Sequence, residues 1–180
     1  FIENIIPLFE ATPNALLEMR TKSTQIRPLL NTDTISNAVV AFSLSPNTIV
    51  DALEHKTPSL EKRLQAIESL QDRGWNIGLR FDPIIFTDNF TDIYNDFFIR
   101  VFDRVSLDTL HSVSLGSFRL PASFFKKLLK LYPEEKLFAS PTEEYNGFVS
   151  YPKNVHELMT DYCVEKILQY IPKEKLFPCE

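Results

Sequence analysis

The chain has 180 residues, of which 44% are hydrophobic and 24% are charged. This composition excludes an intrinsically disordered chain, and the length suits one domain with a sizeable core. The net charge is −5. Because proteins that hold DNA by charge alone carry a basic surplus, a nucleic-acid role would need a local basic groove or basic residues from a further segment.

The cysteine content predicts a reducing compartment, so we expect a cytoplasmic protein. Cys163 and Cys179 are isolated, and no C-x-x-C or C-x-x-x-C-x-x-C motif is present, so neither a zinc nor an iron–sulfur site can be assigned. No apolar run approaches the ~20 residues of a membrane helix, and no signal peptide is visible. The first residue is Phe1 rather than methionine, which favours a processed or truncated polypeptide.

Strand-like and helix-like segments alternate along the chain, which favours a parallel α/β architecture. A short helix is predicted at the start, with Pro7 in its first turn or at its end. Strands are predicted at 16–21, 37–44, 77–81 (closed by Pro83), 110–115, 136–139 and 175–178. Further helices are predicted at 58–73, 92–105, 121–131 and 155–170. Asn146 and Gly147 predict a hairpin within 142–152.

The helix at 58–73 has the clearest boundaries. Thr57 is expected to cap it, Pro58 suits the first helical position, and Glu61 lies near the positive end of the helix dipole. Gly74 is able to adopt a left-handed conformation and is expected to end the helix.

Polar or small side chains alternate with apolar ones along the predicted strands, whereas parallel strands covered on both faces are usually apolar throughout. If the strands curve into a barrel, the polar face points into the lumen. Its groups would then gather near the C-terminal strand ends, where barrel enzymes place their sites. The same pattern also fits a half-exposed antiparallel sheet whose polar face meets water, and the pattern alone leaves both interpretations open.

Five segments occur in an order that carries a family resemblance: LLEMRTKS, AVVAFSLSP, TPSLEKRLQAI, GWNIGLRFDPII and SLGSFRLP. From about residue 16 onward, the chain resembles proteins of the spore photoproduct lyase family, which belong to the radical S-adenosylmethionine (SAM) enzymes. The resemblance implies one domain, residues 1–180, that forms the C-terminal part of a partial parallel (β/α) barrel. It also implies SAM as cosubstrate, a four-iron four-sulfur cluster, and repair of the spore photoproduct, a thymine dimer in DNA, by a 5′-deoxyadenosyl radical.

Two residues match the SAM-contacting lysine and serine of the family. They are Lys22 in RTKS and Ser43 in AFSLS. A lysine ammonium suits the SAM carboxylate, and a serine hydroxyl can bond to the cosubstrate. Without the resemblance, Lys22 fits a solvated lysine at a strand end and Ser43 a satisfied buried hydroxyl.

Four further charged residues, Glu18, Arg20, Arg80 and Asp82, occupy the polar faces of the predicted strands. They either line the SAM pocket or form structural ion pairs inside the barrel, and both outcomes are compatible with the sequence. We expect Arg80 and Asp82 to converge with Lys22 and Ser43 on one cavity, because charges in a lumen must be paired or contact a ligand.

Several family features are absent from the chain. The C-x-x-x-C-x-x-C motif and the hydrogen-donor cysteine are missing, so the resemblance places the cluster ligands upstream of residue 1. We therefore expect no catalytic residue and no metal ligand within these 180 residues, and no turnover by this chain alone. Cys163 is predicted to be a core thiol.

The substrate assignment is less direct, because the stretch EEYNGFVSYPK lacks the arginine of the family's lesion-contacting hairpin and carries Glu143 and Glu144 instead. Tyr145 and Tyr151 could stack on DNA bases or pack within the loop. Arg119 could bind a phosphate or lie on the surface. Alternatives are a diverged radical SAM protein with a non-DNA substrate and a non-enzymatic α/β ligand-binding module. Exposed sheet edges would favour a homodimer.

Overall fold

A computed structural model describes residues 2–178 of the chain. The strands are β1 (Leu17–Thr21), β2 (Ala38–Ser43), β3 (Asn76–Ile84), β4 (Leu110–Ser117), β5 (Arg119–Pro121), β6 (Glu143–Tyr145), β7 (Phe148–Ser150) and β8 (Leu176–Pro178). The helices are α1 (Ile2–Glu10), α2 (Arg27–Leu30), α3 (Asn47–Leu53), α4 (Leu60–Asp72), α5 (Phe90–Phe102), α6 (Ala122–Leu131) and α7 (Lys153–Ile167), with 3₁₀ turns at Lys136–Ala139 and Lys173–Lys175.

The predicted parallel α/β architecture is confirmed. A five-stranded sheet has the order β1-β2-β3-β4-β8, and each neighbouring pair is parallel. A half-exposed antiparallel sheet is therefore excluded as the origin of the alternating pattern. The register aligns Ser43 with Arg80 and Arg80 with Ser114. Since residues two apart on a strand share a face, the polar positions of neighbouring strands form one continuous surface.

The opposite face of the sheet is apolar and is covered by helices. Phe81 on β3 packs against Phe97, Phe98 and Phe102 of α5 with ring centroids 5.3 to 6.4 Å apart. Such edge-to-face aromatic pairs stabilise a core beyond the burial of their area. Within residues 2–178, no helix is long and apolar enough to cross a membrane.

Helix α4 ends as predicted but begins differently. Gly74 has φ +93° and donates its N–H to the Gln71 carbonyl at 2.8 Å, which is the expected stop. The predicted cap was wrong, because the Ser59 hydroxyl accepts from the backbone of Lys62. The Thr57 hydroxyl instead donates to the Glu54 carbonyl at 2.8 Å, so residues 57 and 58 lie before the cap.

Strand β3 continues beyond Pro83, so the predicted strand end was wrong. Its pairing with β2 stops at Arg80, and its register with β4 shifts between Phe81 and Ile84. Pro83 has no partner residue in the register with β2 or with β4. Its missing N–H therefore removes no hydrogen bond between strands.

Other differences are local. The segment 136–139 is a 3₁₀ turn rather than a strand, and Pro7 lies in the interior of α1 rather than in its first turn or at its end. The short helices α2 and α3 were not predicted. The hairpin is confirmed: β6 and β7 pair around Asn146 and Gly147, both of which have positive φ.

Candidate functional site

A cavity of about 430 Å³ lies at the C-terminal ends of the parallel strands. This volume is in the range of small-molecule sites. Its polar lining comes from residues at or near the C-terminal ends of β1 to β4, from the residue that follows α3 and from the first residue of β5. These residues are Lys22, Ser45, Glu54, Asp82, Ser117 and Arg119. The cavity therefore occupies the edge of the sheet at which parallel α/β enzymes bind their ligands.

Lys22 lies at the cavity wall and is held by a carboxylate. Its Nζ donates to Oε1 of Glu54 at 2.7 Å, and Ser45 Oγ donates to the same oxygen at 2.9 Å. The other oxygen of Glu54 accepts from Arg63 Nη2 at 2.5 Å. Burial would raise the pKa of the Glu54 carboxyl, but hydrogen bonds from Lys22 and Arg63 outweigh that effect and hold its pKa below the ordinary value.

Arg20 joins three strands beside the cavity. Its Nε donates to Ser43 Oγ at 3.1 Å, and its Nη2 lies 3.4 Å from Oδ2 of Asp82. Because the Ser43 oxygen accepts from Arg20, its hydroxyl proton is free to point elsewhere. Ser43 and Asp82 are thus linked through Arg20.

Arg80 turns away from the cavity and pairs with Glu18. Its Nε and Nη2 donate to the two oxygens of Glu18 at 3.0 and 2.6 Å, and Nη2 also donates to Ser112 Oγ at 3.0 Å. The guanidinium lies over Gly78, where a Cβ atom would be 2.7 Å from Nη2. The hydrogen bond from Arg80 lowers the pKa of the Glu18 carboxyl.

The structure brings the sequence-predicted SAM residues together only in part. Lys22 and Asp82 line one cavity. Ser43 does not line it but is linked to Asp82 through Arg20, whereas Arg80 and Glu18 form a bidentate ion pair away from it. The expectation that Arg80 converges on the cavity was therefore wrong. Gly78 lies two residues before Arg80 on the same face of β3. Because it has no side chain, it leaves room for the guanidinium to extend toward Glu18 on β1.

The substrate candidates differ in accessibility. Arg119 is exposed and lines the cavity, and Tyr145 is 78% exposed on the hairpin. Tyr151 is 4% exposed, its hydroxyl accepts the N–H of Phe86 at 3.0 Å, and its ring packs against Phe118. Of the two alternatives for Tyr151, stacking on bases or packing within the protein, the structure favours packing, because its ring is part of the core.

Five residues at the site were not predicted, and two of them, Ser45 and Ser117, contribute hydroxyls to the cavity lining. Glu54 and Arg63 form the network around Lys22, and His156 Nδ1 lies 2.6 Å from Ser117 Oγ at the cavity lining. A sequence signal existed for Arg63: it lies on the stripe of α4 that buries Leu60 and Ile67. A buried arginine requires a carboxylate partner, which this pattern alone does not identify.

A family model described as spore photoproduct lyase matches residues 2–176. The chain belongs to the spore photoproduct lyase family. A curated spore photoproduct lyase from Clostridium acetobutylicum is 26% identical over 117 residues, which cover 65% of this chain and 34% of that protein. The chain thus spans about one third of the curated relative that it matches.

Solved structures of spore photoproduct lyase have the same fold. One cysteine-to-alanine variant gives a TM-score of 0.76 at 19% identity. A double variant with bound AdoMet and dinucleoside spore photoproduct gives 0.74 at 17% identity. Each comparison covers 91% of this chain and 50% of the solved chain.

The described residues do not fit the iron–sulfur cluster expected for a radical SAM member of the family. Within residues 2–178, no group of three or more His, Cys, Asp or Glu side chains could hold a metal ion. Cys163 is fully buried in the core, as predicted, and burial raises the pKa of its thiol. Thiolates are the ligands of such clusters, and a buried thiol with a raised pKa is a poor one. Cys179 lies outside the described residues.

Proposed function

We propose that this chain is a single domain, residues 1–180, that supplies SAM-binding residues to a radical SAM lyase repairing the spore photoproduct in DNA. The observation that carries the proposal is the cavity at the strand ends, with the Lys22 ammonium at its wall and the Arg20–Ser43–Asp82 network beside it. Family membership supports the reaction class.

The donor set suits SAM. Lys22 uses one N–H for Glu54, and its remaining donors are available for the SAM carboxylate. Ser43 retains a hydroxyl proton that can bond to a ribose oxygen. On the same face of the sheet, Ser114 Oγ is buried without a hydrogen-bond partner among the described residues, and a buried polar atom of this kind is an acceptor or donor for a ligand or a water molecule.

SAM, when bound, would supply the radical chemistry of the proposed repair reaction. The residues of this chain bind and orient it. We expect the cluster ligands upstream of residue 1, so the 180-residue chain alone should not turn over. Reconstitution with iron and sulfide under reducing conditions, followed by an assay for SAM cleavage, would contradict this expectation if cleavage occurred.

The proposed DNA lesion would bind next to SAM, at the side of the cavity that Arg119 lines. The support is that solved spore photoproduct lyases bind dinucleoside spore photoproduct. In this chain, Arg119 is exposed at the cavity lining and Tyr145 is exposed on the hairpin. An arginine can bind phosphate bidentately, and an exposed tyrosine can stack on a base.

A non-DNA substrate is favoured by one specific observation, the acidic hairpin. Glu143 and Glu144 are both exposed, and only Glu144 has a described ion pair, with Lys126 at 3.3 Å. Two carboxylates repel phosphates. Titration with dinucleoside spore photoproduct and with undamaged dinucleotide, in the presence of SAM, distinguishes DNA repair from a non-DNA substrate. Selective binding of the lesion supports repair. Failure of both ligands to bind supports a different substrate.

The SAM site is tested by calorimetry with Lys22→Met and a matched control, Lys62→Gln. Lys62 is an exposed lysine on α4, on the helix-covered side of the sheet. Loss of a hydrogen bond to a charged group should weaken SAM binding about tenfold or more in Lys22→Met, with no change in Lys62→Gln. Equal affinity of all three proteins, or no SAM binding by the unsubstituted chain, would contradict the proposal.

We further propose a cytoplasmic protein that pairs with a second copy through its sheet edges. Strands β1 and β8 are the edges of the five-stranded sheet, and unpaired edges are templates for strand addition. Sedimentation equilibrium tests this, and a monomer at all concentrations would refute the dimer.

A further inference from the structure

Glu54 is the centre of a cluster of three charges at the cavity wall. One carboxylate oxygen accepts from Lys22 at 2.7 Å and from Ser45 at 2.9 Å, and the other accepts from Arg63 at 2.5 Å. Its side chain is only 9% exposed, whereas that of Lys22 is 39% exposed. The carboxylate therefore lies between an inner guanidinium and an outer ammonium.

Arg63 is rigidly fixed and has no exposed surface. Its Nε donates to the Pro58 carbonyl at 2.9 Å and its Nη1 to the Ser43 carbonyl at 3.0 Å. Its Nη2 donates to Thr57 Oγ1 at 2.8 Å as well as to Glu54. The planar fork of an arginine is suited to such fixed, multidentate contacts. Two backbone carbonyls from separate segments thus fix the Arg63 guanidinium, which in turn donates to Glu54.

The pairing of Lys22, Glu54 and Arg63 determines the net charge at the cavity wall. Lys22 and Glu54 alone would form a neutral pair with little attraction for an anion. Because Arg63 compensates Glu54 from the interior, the three groups together carry one net positive charge, and its exposed end is the Lys22 ammonium. Glu54 can therefore hold Lys22 in place without cancelling its charge toward a ligand.

We infer that Glu54, supported by Arg63, is a positioning residue that holds the Lys22 ammonium for the carboxylate of SAM. The inference deepens the proposed function and rests on it. A lysine side chain has many rotamers, so an ammonium that is already held in place loses less freedom on binding. Ser45 donates to the same oxygen of Glu54 as Lys22 and helps to fix the carboxylate.

The test compares two ligands, SAM and 5′-deoxyadenosine, which lacks the carboxylate. Calorimetry is performed on the unsubstituted chain, Glu54→Gln, Lys22→Met, and the double variant Glu54→Gln/Lys22→Met. If Glu54 acts through Lys22, Glu54→Gln should weaken SAM binding and leave 5′-deoxyadenosine binding unchanged, although the lost negative charge offsets part of the effect. The double variant should then lose no more than Lys22→Met alone, because the two residues form one functional unit.

Removal of the Glu54 charge leaves Arg63 buried with a weaker partner and could prevent folding. The variant Glu54→Gln/Arg63→Met removes both charges together, and its circular dichroism spectrum and unfolding midpoint check the fold. It keeps the net charge at one, whereas Glu54→Gln raises it to two. Because Lys22 loses its anchor without a gain in charge, this double variant should bind SAM about tenfold more weakly, with 5′-deoxyadenosine binding unchanged.

Different failures have different meanings. Equal losses for SAM and 5′-deoxyadenosine would assign Glu54 a structural role and overturn the inference, as would additive effects in the double variant. If Lys22→Met loses neither ligand, the proposed function itself fails and the inference fails with it. If Lys22→Met selectively loses SAM while Glu54→Gln/Arg63→Met does not, the proposed function stands and only the positioning role is refuted.

Discussion

The two faces of the central sheet are built on opposite principles, although alternate residues of the same strands supply them. On β3, Phe81 points to the helix side and packs among phenylalanines of α5, while its neighbours Arg80 and Asp82 point to the other side and contact charged partners. The first face is held by non-directional burial and the second by specific hydrogen bonds. Hence a shortened side chain should be costly on the helix side, whereas on the polar side the result should depend on which partner is displaced.

The largest expected effect is on the helix side. Phe81→Ala removes a ring that is 1% exposed and contacts three other rings. We expect the free energy of unfolding to fall by about 3–5 kcal/mol, the range for Phe→Ala in a core. Urea denaturation measures it. Phe124→Ala is the matched control, because Phe124 is 48% exposed and should cost much less. Equal losses would show that the apolar face does not dominate stability.

An intermediate effect on the free energy of unfolding is expected on the polar face, where Gly78 lies against the Arg80 guanidinium. The Cβ atom of Gly78→Ala would approach the Arg80 guanidinium to 2.7 Å and displace it from Glu18 and Ser112. We expect a destabilisation of about 1–3 kcal/mol, as for overpacked sites.

Arg80→Met provides the second arm of this double-mutant cycle. Once the guanidinium is absent, Gly78→Ala should cost less, which would assign the effect to the displaced ion pair. An undiminished cost in the Arg80→Met background would place the strain in the backbone instead.

The smallest expected effect is a pH dependence of stability. Glu18 has a pKa below its ordinary value of 4.5, owing to the hydrogen bond from Arg80. A carboxyl whose folded pKa is depressed contributes stability that is fully present above its unfolded pKa and is lost as the pH falls through the folded pKa. The urea midpoint should thus decrease below about pH 4.5, and Glu18→Gln should reduce that slope. Because Glu18 is partly exposed, the change should be modest, and an unchanged slope would contradict it.

Much of the fold and part of the site could be predicted from residue patterns. The alternation of strands and helices, the Gly74 helix end and the hairpin at Asn146 all follow from local chemistry, and the structure confirms them. Lys22 and Asp82 were expected at one cavity and line it. The cap of α4 was misassigned because Thr57 and Ser59 are both acceptable caps, and only the contacts of Thr57 with Glu54 and Arg63 decide between them.

By itself, the sequence determined which side chains share a face, because a strand alternates its side chains with a period of two residues. Only the tertiary structure decided their partners. Arg80 and Glu18 are 62 residues apart in the chain, and their pairing depends on the register of intervening strands and on the space above Gly78. Glu54 and Arg63 are only nine residues apart, but they lie on either side of the turn between α3 and α4, and the Ser43 carbonyl of β2 also holds Arg63. Local periodicity selects a face, whereas charge pairing is settled by distances between segments that no local pattern encodes.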